Sequence, residues 1–190
     1  NIKKICSDFK FIVISGSTGT AKTKILQEIK KKGEQVLDLE KLAEHKGSLL
    51  GKSKNVKQPS QKFFETNLYV ELKNITNKLQ YVYIESESSK IGNINLPNEL
   101  IKKIKLSPTI EINASEKERV NFLLEDYAKL ITEKDFFKPL FEHAAKSVSK
   151  EIILNWKKLY EVKSWNKLAH SLIRDYYDPL YGYTKKIDNQ

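Results

Sequence analysis

The sequence predicts an α/β fold, a parallel sheet flanked by helices and followed by a helical C-terminal subdomain. Three observations carry that prediction. Short apolar runs alternate with segments of helical period through the first 113 residues. The first run, Phe11-Ile-Val-Ile14, leads directly into a glycine-containing turn and then a helix. No strand pattern appears after Asn113. The expected organisation is therefore a core over 1–113 and a helical subdomain over 114–190.

The turn is Gly16, Ser17, Thr18, Gly19, Thr20, Ala21, Lys22 and Thr23. A strand, a glycine-rich turn and a helix in that order form a phosphate-binding P-loop, so the sheet is expected to be P-loop NTPase-like. Successive backbone N–H groups face an anion there, the helix N-terminus adds partial positive charge, and a lysine reaches the terminal phosphates. The Thr23 hydroxyl falls where a magnesium ligand is needed. The consensus has Gly where this chain has Ala21, and a methyl group there crowds the close approach of backbone to phosphate. Anion binding is expected more than efficient nucleotide hydrolysis.

The remaining elements follow in order. The first strand spans Phe9–Ser15, and the P-loop helix runs to about Lys32, with Gly33 as its cap. Gln35–Leu39 reads as a second strand with acids at its carboxyl end. After a Gly-, Ser- and Lys-rich loop, Ser60 caps a helix carrying Phe63, Phe64, Leu68 and Leu72. Tyr81–Ile84 is a third strand ending in Glu85, Leu96-Pro97 opens a helix, and Thr109–Ile112 is a fourth strand. Ser115-Glu-Lys-Glu118 is a capping box for a helix through Leu130, and helices are expected over 136–145, 151–160 and 165–176.

In such a sheet, ligands meet the carboxyl ends of the strands. Glu85 and Glu87 stand there, and a carboxylate at that point holds Mg²⁺ directly or through water opposite Thr23. Thr23 and Glu85 are thus the candidate metal ligands. Asp38, Glu40 and His45 follow the second strand and are candidate acid, base or ribose contacts. His143 and His170 read as structural, no spacing argues for zinc, and Cys6 lacks the setting of a nucleophile.

Composition narrows the partners. The net charge is +10, with 17 Lys against 10 acids in residues 1–95 and 17 basic against 14 acidic residues in 96–190. Lys46, Lys52, Lys54, Lys57 and Lys62 occur with no acid between His45 and Glu65. Such a block suits a polyanion such as RNA. The tyrosines of Asp175-Tyr-Tyr-Asp-Pro-Leu-Tyr181 either stack on bases or seal the helical subdomain. No membrane-length apolar stretch or signal peptide is seen, and a single cysteine excludes a disulfide framework, so a cytoplasmic location is expected. Methionine is absent even at position 1, which suggests a trimmed chain.

One series of motifs adds a family. It comprises Gly16–Thr23; Gly33-Glu-Gln-Val-Leu-Asp-Leu-Glu40; Leu42-Ala43 with His45-Lys-Gly-Ser48 and Gly51; and Gln58-Pro-Ser-Gln61 with Phe64-Glu65. It continues with Glu85-Ser-Glu-Ser88, Ile91-Gly92, Leu96-Pro97 and Tyr177-Asp-Pro-Leu-Tyr181. Together these resemble the P-loop, C-terminal half of tRNA 2-selenouridine synthase. The resemblance implies a transferase acting on wobble 2-thiouridine, first S-alkylated from geranyl diphosphate and then converted with selenophosphate. It implies that the P-loop cradles the donor's diphosphate, with ATP or GTP as the open alternative. It places the tRNA anticodon arm on the basic loop (Lys46, Lys52, Lys54, Lys57, Lys62), on Gln58, Ser60 and Gln61, and on Tyr177 and Tyr181. Asp38, Glu40, His45 and Ser48 would line the crevice. Two features depart from the family: Ala21 replaces a usual Gly, and the rhodanese-like domain with its reactive cysteine is absent, so the chain resembles either a trimmed one or a naturally separate P-loop subunit served by a separate rhodanese-like partner. A small-molecule kinase or NTPase is one alternative reading. A non-catalytic tRNA-binding module with a degenerate P-loop is the other.

Overall fold

The computed structural model describes residues 8–46, 57–75, 81–133 and 135–180. Four parallel strands form the main sheet: β1 (Lys10–Ser15), β2 (Gln35–Leu37), β3 (Tyr81–Glu85) and β6 (Thr109–Glu111), in the order β2-β3-β1-β6. β4 (Lys90–Ile91) and β5 (Ile94–Asn95) pair as a small antiparallel hairpin. The helices are α1 (Lys22–Lys31), α2 (Leu39–Leu42), α3 (Gln61–Asn74), α4 (Asn98–Lys105), α5 (Glu116–Asp126), α6 (Lys138–Ala144), α7 (Lys150–Glu161) and α8 (Trp165–Leu172). A π-helical turn, Ile173–Tyr177, continues α8. The α/β, P-loop-like parallel sheet with helices is the architecture that the sequence predicts.

The chain divides into two compact units. The first runs to Ser15 and resumes over Lys22–Glu111; the second comprises Gly16–Ala21 and the chain from Ile112 onward. The six loop residues thus group with the helices, although the linear boundary at 113/114 places them in the core.

In the first unit, Phe11 and Val13 of β1, Val82 and Ile84 of β3, and Phe64, Leu68 and Leu72 of α3 are all at most 2% exposed and share one apolar core. The 64/68/72 spacing puts one face of α3 on the sheet. Ser60 caps this helix as expected, its hydroxyl accepting from the Phe63 N–H at 3.2 Å. Gly33 closes α1 in a Schellman arrangement: its N–H donates to Lys30 O at 3.0 Å, and the Glu34 N–H donates to Ile29 O at 3.3 Å.

Three local features differ from the sequence reading. β2 stops at Leu37, because Asp38 caps the short helix α2 by accepting from the Lys41 N–H at 2.9 Å. α5 ends at Asp126 rather than near Leu130. The β4–β5 hairpin carries no periodic signal, and side-chain amides from afar hold it. Gln58 donates to Ile91 O at 3.1 Å and accepts from the Asn93 N–H at 2.8 Å; Gln61 donates to Asn95 O and accepts from the Asn95 N–H at 2.8 and 2.9 Å.

In the second unit, Val120, Ala169 and Ile173 form one buried cluster. An aromatic group of Phe137, Phe141, Trp156, Tyr160 and Trp165 packs with ring centroids 5.7–6.4 Å apart. Trp156 Nε1 donates to the Ser171 hydroxyl at 2.8 Å, and that hydroxyl donates to Asp175 at 2.6 Å. The capping box of Ser115 and Glu118 opens α5 as its sequence requires.

Candidate functional site

Parallel pairing fixes where the first unit's polar groups meet. Ile14 is in register with Glu85, and Leu37 with Ile84, so the carboxyl ends of β1, β2 and β3 lie along one edge. Lys22 and Thr23 open α1 from that edge, Glu40 sits in α2 just past β2, and Glu85 ends β3. The Thr23 hydroxyl lies 3.2 Å from a carboxylate oxygen of both Glu40 and Glu85. One hydroxyl proton can serve only one of those oxygens at a time. Lys22 Nζ is 4.0 Å from Glu85, with both side chains largely buried. Carboxylate oxygens of Glu40, Glu85 and Glu87 all lie within 4.8 Å of one another.

Among the described residues, these three acids stand beside the Lys22 ammonium, and their burial and crowding raise their proton affinity. Burial, followed by the charges of Glu85 and Glu40, pushes Glu87 up to about 9. Burial and then Glu85 push Glu40 up to about 7, against the hydrogen bond from Thr23. Glu85 is raised by burial, with Lys22 and Thr23 pulling the other way. Oxygen donors at this spacing suit a hard divalent cation such as Mg²⁺. Thr23 and Glu85 are the direct candidates, and Glu40 and Glu87 are within reach.

The loop Gly16–Ala21 belongs to the second unit. Thr20, nearly buried, donates its hydroxyl to Ser17 O at 2.9 Å. Gly19 has φ +85°, and a Cβ there would come within 2.9 Å of Arg119 O and 3.2 Å of Leu123 Cγ. Ala21 takes φ +61°. Glycine adopts that left-handed backbone freely, and alanine does so only with strain. The departure at this position thus acts on the backbone itself, beyond the methyl crowding the sequence suggests.

The other expected residues separate into groups. Asp38 caps α2 through Oδ1, and its charge is among those that raise Glu40 and Glu85. The His45 N–H donates to Glu40 O at 3.0 Å and closes α2 behind Glu44, whose φ is +50°. Gln58, Ser60 and Gln61, expected as tRNA contacts, bond the hairpin backbone and the α3 N-terminus through their polar groups. Tyr177, also expected as a tRNA contact, is buried, with its ring edge-on to Tyr176 at 5.1 Å. Lys46, Lys57 and Lys62 are exposed. Ser48, Lys52, Lys54 and Tyr181 lie outside the described residues.

Two residues escaped the sequence reading. Arg119, 7% exposed, donates from Nε to Thr18 O at 2.8 Å and from both terminal nitrogens to Asp178, at 3.0 and 2.6 Å. The available signal was rarity: this lysine-rich chain has two arginines, Arg119 and Arg174. Arg174 pairs with Asp175 at 2.7 Å. Both arginines are therefore engaged within the helical unit.

The family model described as the tRNA 2-selenouridine synthase AAA domain matches residues 9–156. The chain belongs to that family. A tRNA 2-selenouridine synthase of Alcanivorax borkumensis is 31% identical over 198 residues, covering 90% of this chain and 53% of the relative. Its counterpart in Psychromonas ingrahamii is 26% identical, with 99% and 58% covered. That of Nitrosomonas europaea is 37% identical over 120 residues, with 62% and 31% covered. This member of the tRNA 2-selenouridine synthase AAA family therefore spans little more than half the length of the first two relatives. Among the described residues, no helix is long and apolar enough to cross a membrane.

Proposed function

We propose that this chain is the P-loop unit of a cytoplasmic tRNA 2-selenouridine synthase. In this reading it binds tRNA and geranyl diphosphate and serves the conversion of wobble 2-thiouridine, through S-geranyl-2-thiouridine, to 2-selenouridine. One observation carries the diphosphate part. Lys22 and Thr23 stand at the head of α1, and Thr23 lies 3.2 Å from two of three clustered carboxylates. Family membership supports the tRNA part.

In the first step the sulfur on C2 of 2-thiouridine attacks C1 of the geranyl group. The S–C bond forms as the C1–O bond breaks, diphosphate leaves with the bonding electrons, and the N3 proton passes to solvent. Lys22 sets a fixed ammonium against the charge that develops on the leaving diphosphate. Thr23 and Glu85 would hold Mg²⁺, with Glu40 and Glu87 reaching it through water. Bound there, the ion supplies further neutralising charge. Such a site has no need to hydrolyse a nucleotide, so Ala21 is tolerable. Exposed Lys46, Lys57 and Lys62 supply cations for the anticodon arm.

In the second step, selenium of selenophosphate bonds to C2 as the geranylthiolate leaves and takes a proton. Water then cleaves the Se–P bond, releasing phosphate. This step is assigned to joint action with a rhodanese-like domain or partner chain.

The test is incubation with 2-thiouridine tRNA and geranyl diphosphate, with and without Mg²⁺, followed by mass spectrometry of the nucleosides. A Mg²⁺-dependent geranylated nucleoside is expected. Calorimetric binding of ATP with no affinity for geranyl diphosphate would overturn the assignment of the donor.

A further inference from the structure

We propose that Arg119 and Asp178 are positioning residues that fix the Thr18–Gly19 peptide of the phosphate loop. The inference rests on the reading that this loop binds a diphosphate. In a trans peptide the C=O and the following N–H point in opposite directions. Arg119 Nε holds the Thr18 carbonyl at 2.8 Å. The Gly19 N–H is thereby kept on the face away from Arg119, available to an anion.

This peptide needs an external hold. A carbonyl turned into an anion site repels the ligand, and glycine places little steric barrier against a peptide flip. Gly19 has no Cβ because the α5 backbone leaves no room for one. The loop's own sequence therefore cannot supply the stiffness, and α5 supplies it instead.

The choice of side chain fits the task. The planar guanidinium presents Nε along one edge and a two-pronged fork at its end, so a single side chain serves a carbonyl and a carboxylate together. Lysine carries its three donors on a single nitrogen and cannot span the carbonyl and both carboxylate oxygens in that fixed plane. The chain has two arginines in 190 residues, and one is used here. Asp178 aims the fork with bonds of 3.0 and 2.6 Å. Asp178 in turn follows the π-helical turn, its N–H donating to Ile173 O. Irregular helical turns of this kind recur at functional sites. The Asp-Pro-Leu motif thus acts by steering a loop 160 residues earlier in the chain, not by stacking on bases.

The probe is inorganic pyrophosphate with Mg²⁺, measured on the full chain by calorimetry. ¹H–¹⁵N spectra are followed in parallel, with the Gly33 amide as an internal control. Wild-type protein should bind and Lys22→Ala should not. Arg119→Lys, which keeps the charge but loses the fork, should weaken binding about tenfold. Asp178→Asn, nearly isosteric, should weaken it about threefold or more. In both variants the pyrophosphate-induced shift of the Gly19 amide should be lost while the Gly33 amide is unaffected. A role confined to stability would leave that shift intact in the folded variants. If Arg119→Lys fails to fold, Asp178→Asn carries the test. Affinity within twofold of wild type, or a retained Gly19 shift, overturns the positioning role. Failure of the wild type itself to bind pyrophosphate overturns the diphosphate reading beneath it.

Discussion

Two buried charged groups in this molecule are built on opposite principles. In the helical unit, Arg119 is matched: its fork meets one carboxylate and its Nε meets one carbonyl. In the α/β unit, Glu40, Glu85 and Glu87 crowd together with Lys22 as the cation within ion-pair range. A partly buried pair held by three directed hydrogen bonds keeps structure in place, although it adds little net stability. A group of under-compensated acids costs free energy, and proteins retain such groups where something binds. The matched pair reads as scaffold, and the acidic cluster is the candidate site.

The sharpest way to break this contrast is Lys22→Ala. Removing the fixed cation should lower diphosphate affinity and transfer about 100- to 1,000-fold, as loss of one preorganised donor does elsewhere. Initial rates by nucleoside mass spectrometry, with calorimetry alongside, would show it. A loss below about threefold would mean that the acidic cluster is not where the phosphate chemistry happens.

The matched side of the contrast predicts a stability effect. Arg119→Ala strands the Thr18 carbonyl and leaves Asp178 without its partner. Because Asp178 is 41% exposed at its side chain, the cost should be about 2–3 kcal/mol, below the full value for a buried pair. Urea melts should show a lower midpoint with an unchanged slope.

The unmatched side predicts a pH dependence of the reverse sense to ordinary acid denaturation. Glu40 and Glu87 have folded values of about 7 and about 9, above the usual 4.5. Below the unfolded value both states are protonated and nothing is lost. As pH rises from about 5 to 9 the unfolded chain releases these protons first, so the metal-free fold loses stability at up to about 1.4 kcal/mol per pH unit for each proton. Melting temperature should therefore fall over that window. Glu87→Gln should flatten the fall, and Mg²⁺ should offset it. A flat profile in wild-type protein would show that these acids are fully solvated.

The smallest effect concerns Ala21. Relief of its left-handed backbone by Ala21→Gly should raise stability by about 1 kcal/mol and strengthen pyrophosphate binding. Thermal melts would resolve the shift.

How legible each feature was depended on how local its cause is. β1, the P-loop helix and the caps at Ser60 and Ser115 follow from neighbouring residues, and they stand where the sequence puts them. Glu85 and Glu40 were legible because parallel strands bring their carboxyl ends to one edge. The hairpin at residues 90–95 was not legible, since two-residue strands show no alternation and their hold comes from Gln58 and Gln61, over 30 residues away. The same amides look like recognition groups in sequence and are structural in the fold. Arg119 and Asp178 meet across 59 positions, a distance that periodicity does not register. Ala21 was visible as an oddity, but the sign of its backbone angle was not.

The π-helical turn at Ile173–Tyr177 also sets the angular phase of Asp178, which follows it. Each residue of an α-helix advances its neighbour by about 100° around the axis. A π-turn fits one more residue into a turn than an α-turn does, so forcing α-helical winding on these five residues with none removed would swing the aspartate at 178 roughly a quarter-turn out of line with its guanidinium partner. A substitution that favoured regular winding there would loosen the loop as replacing the arginine does, though it would remove neither member of the pair.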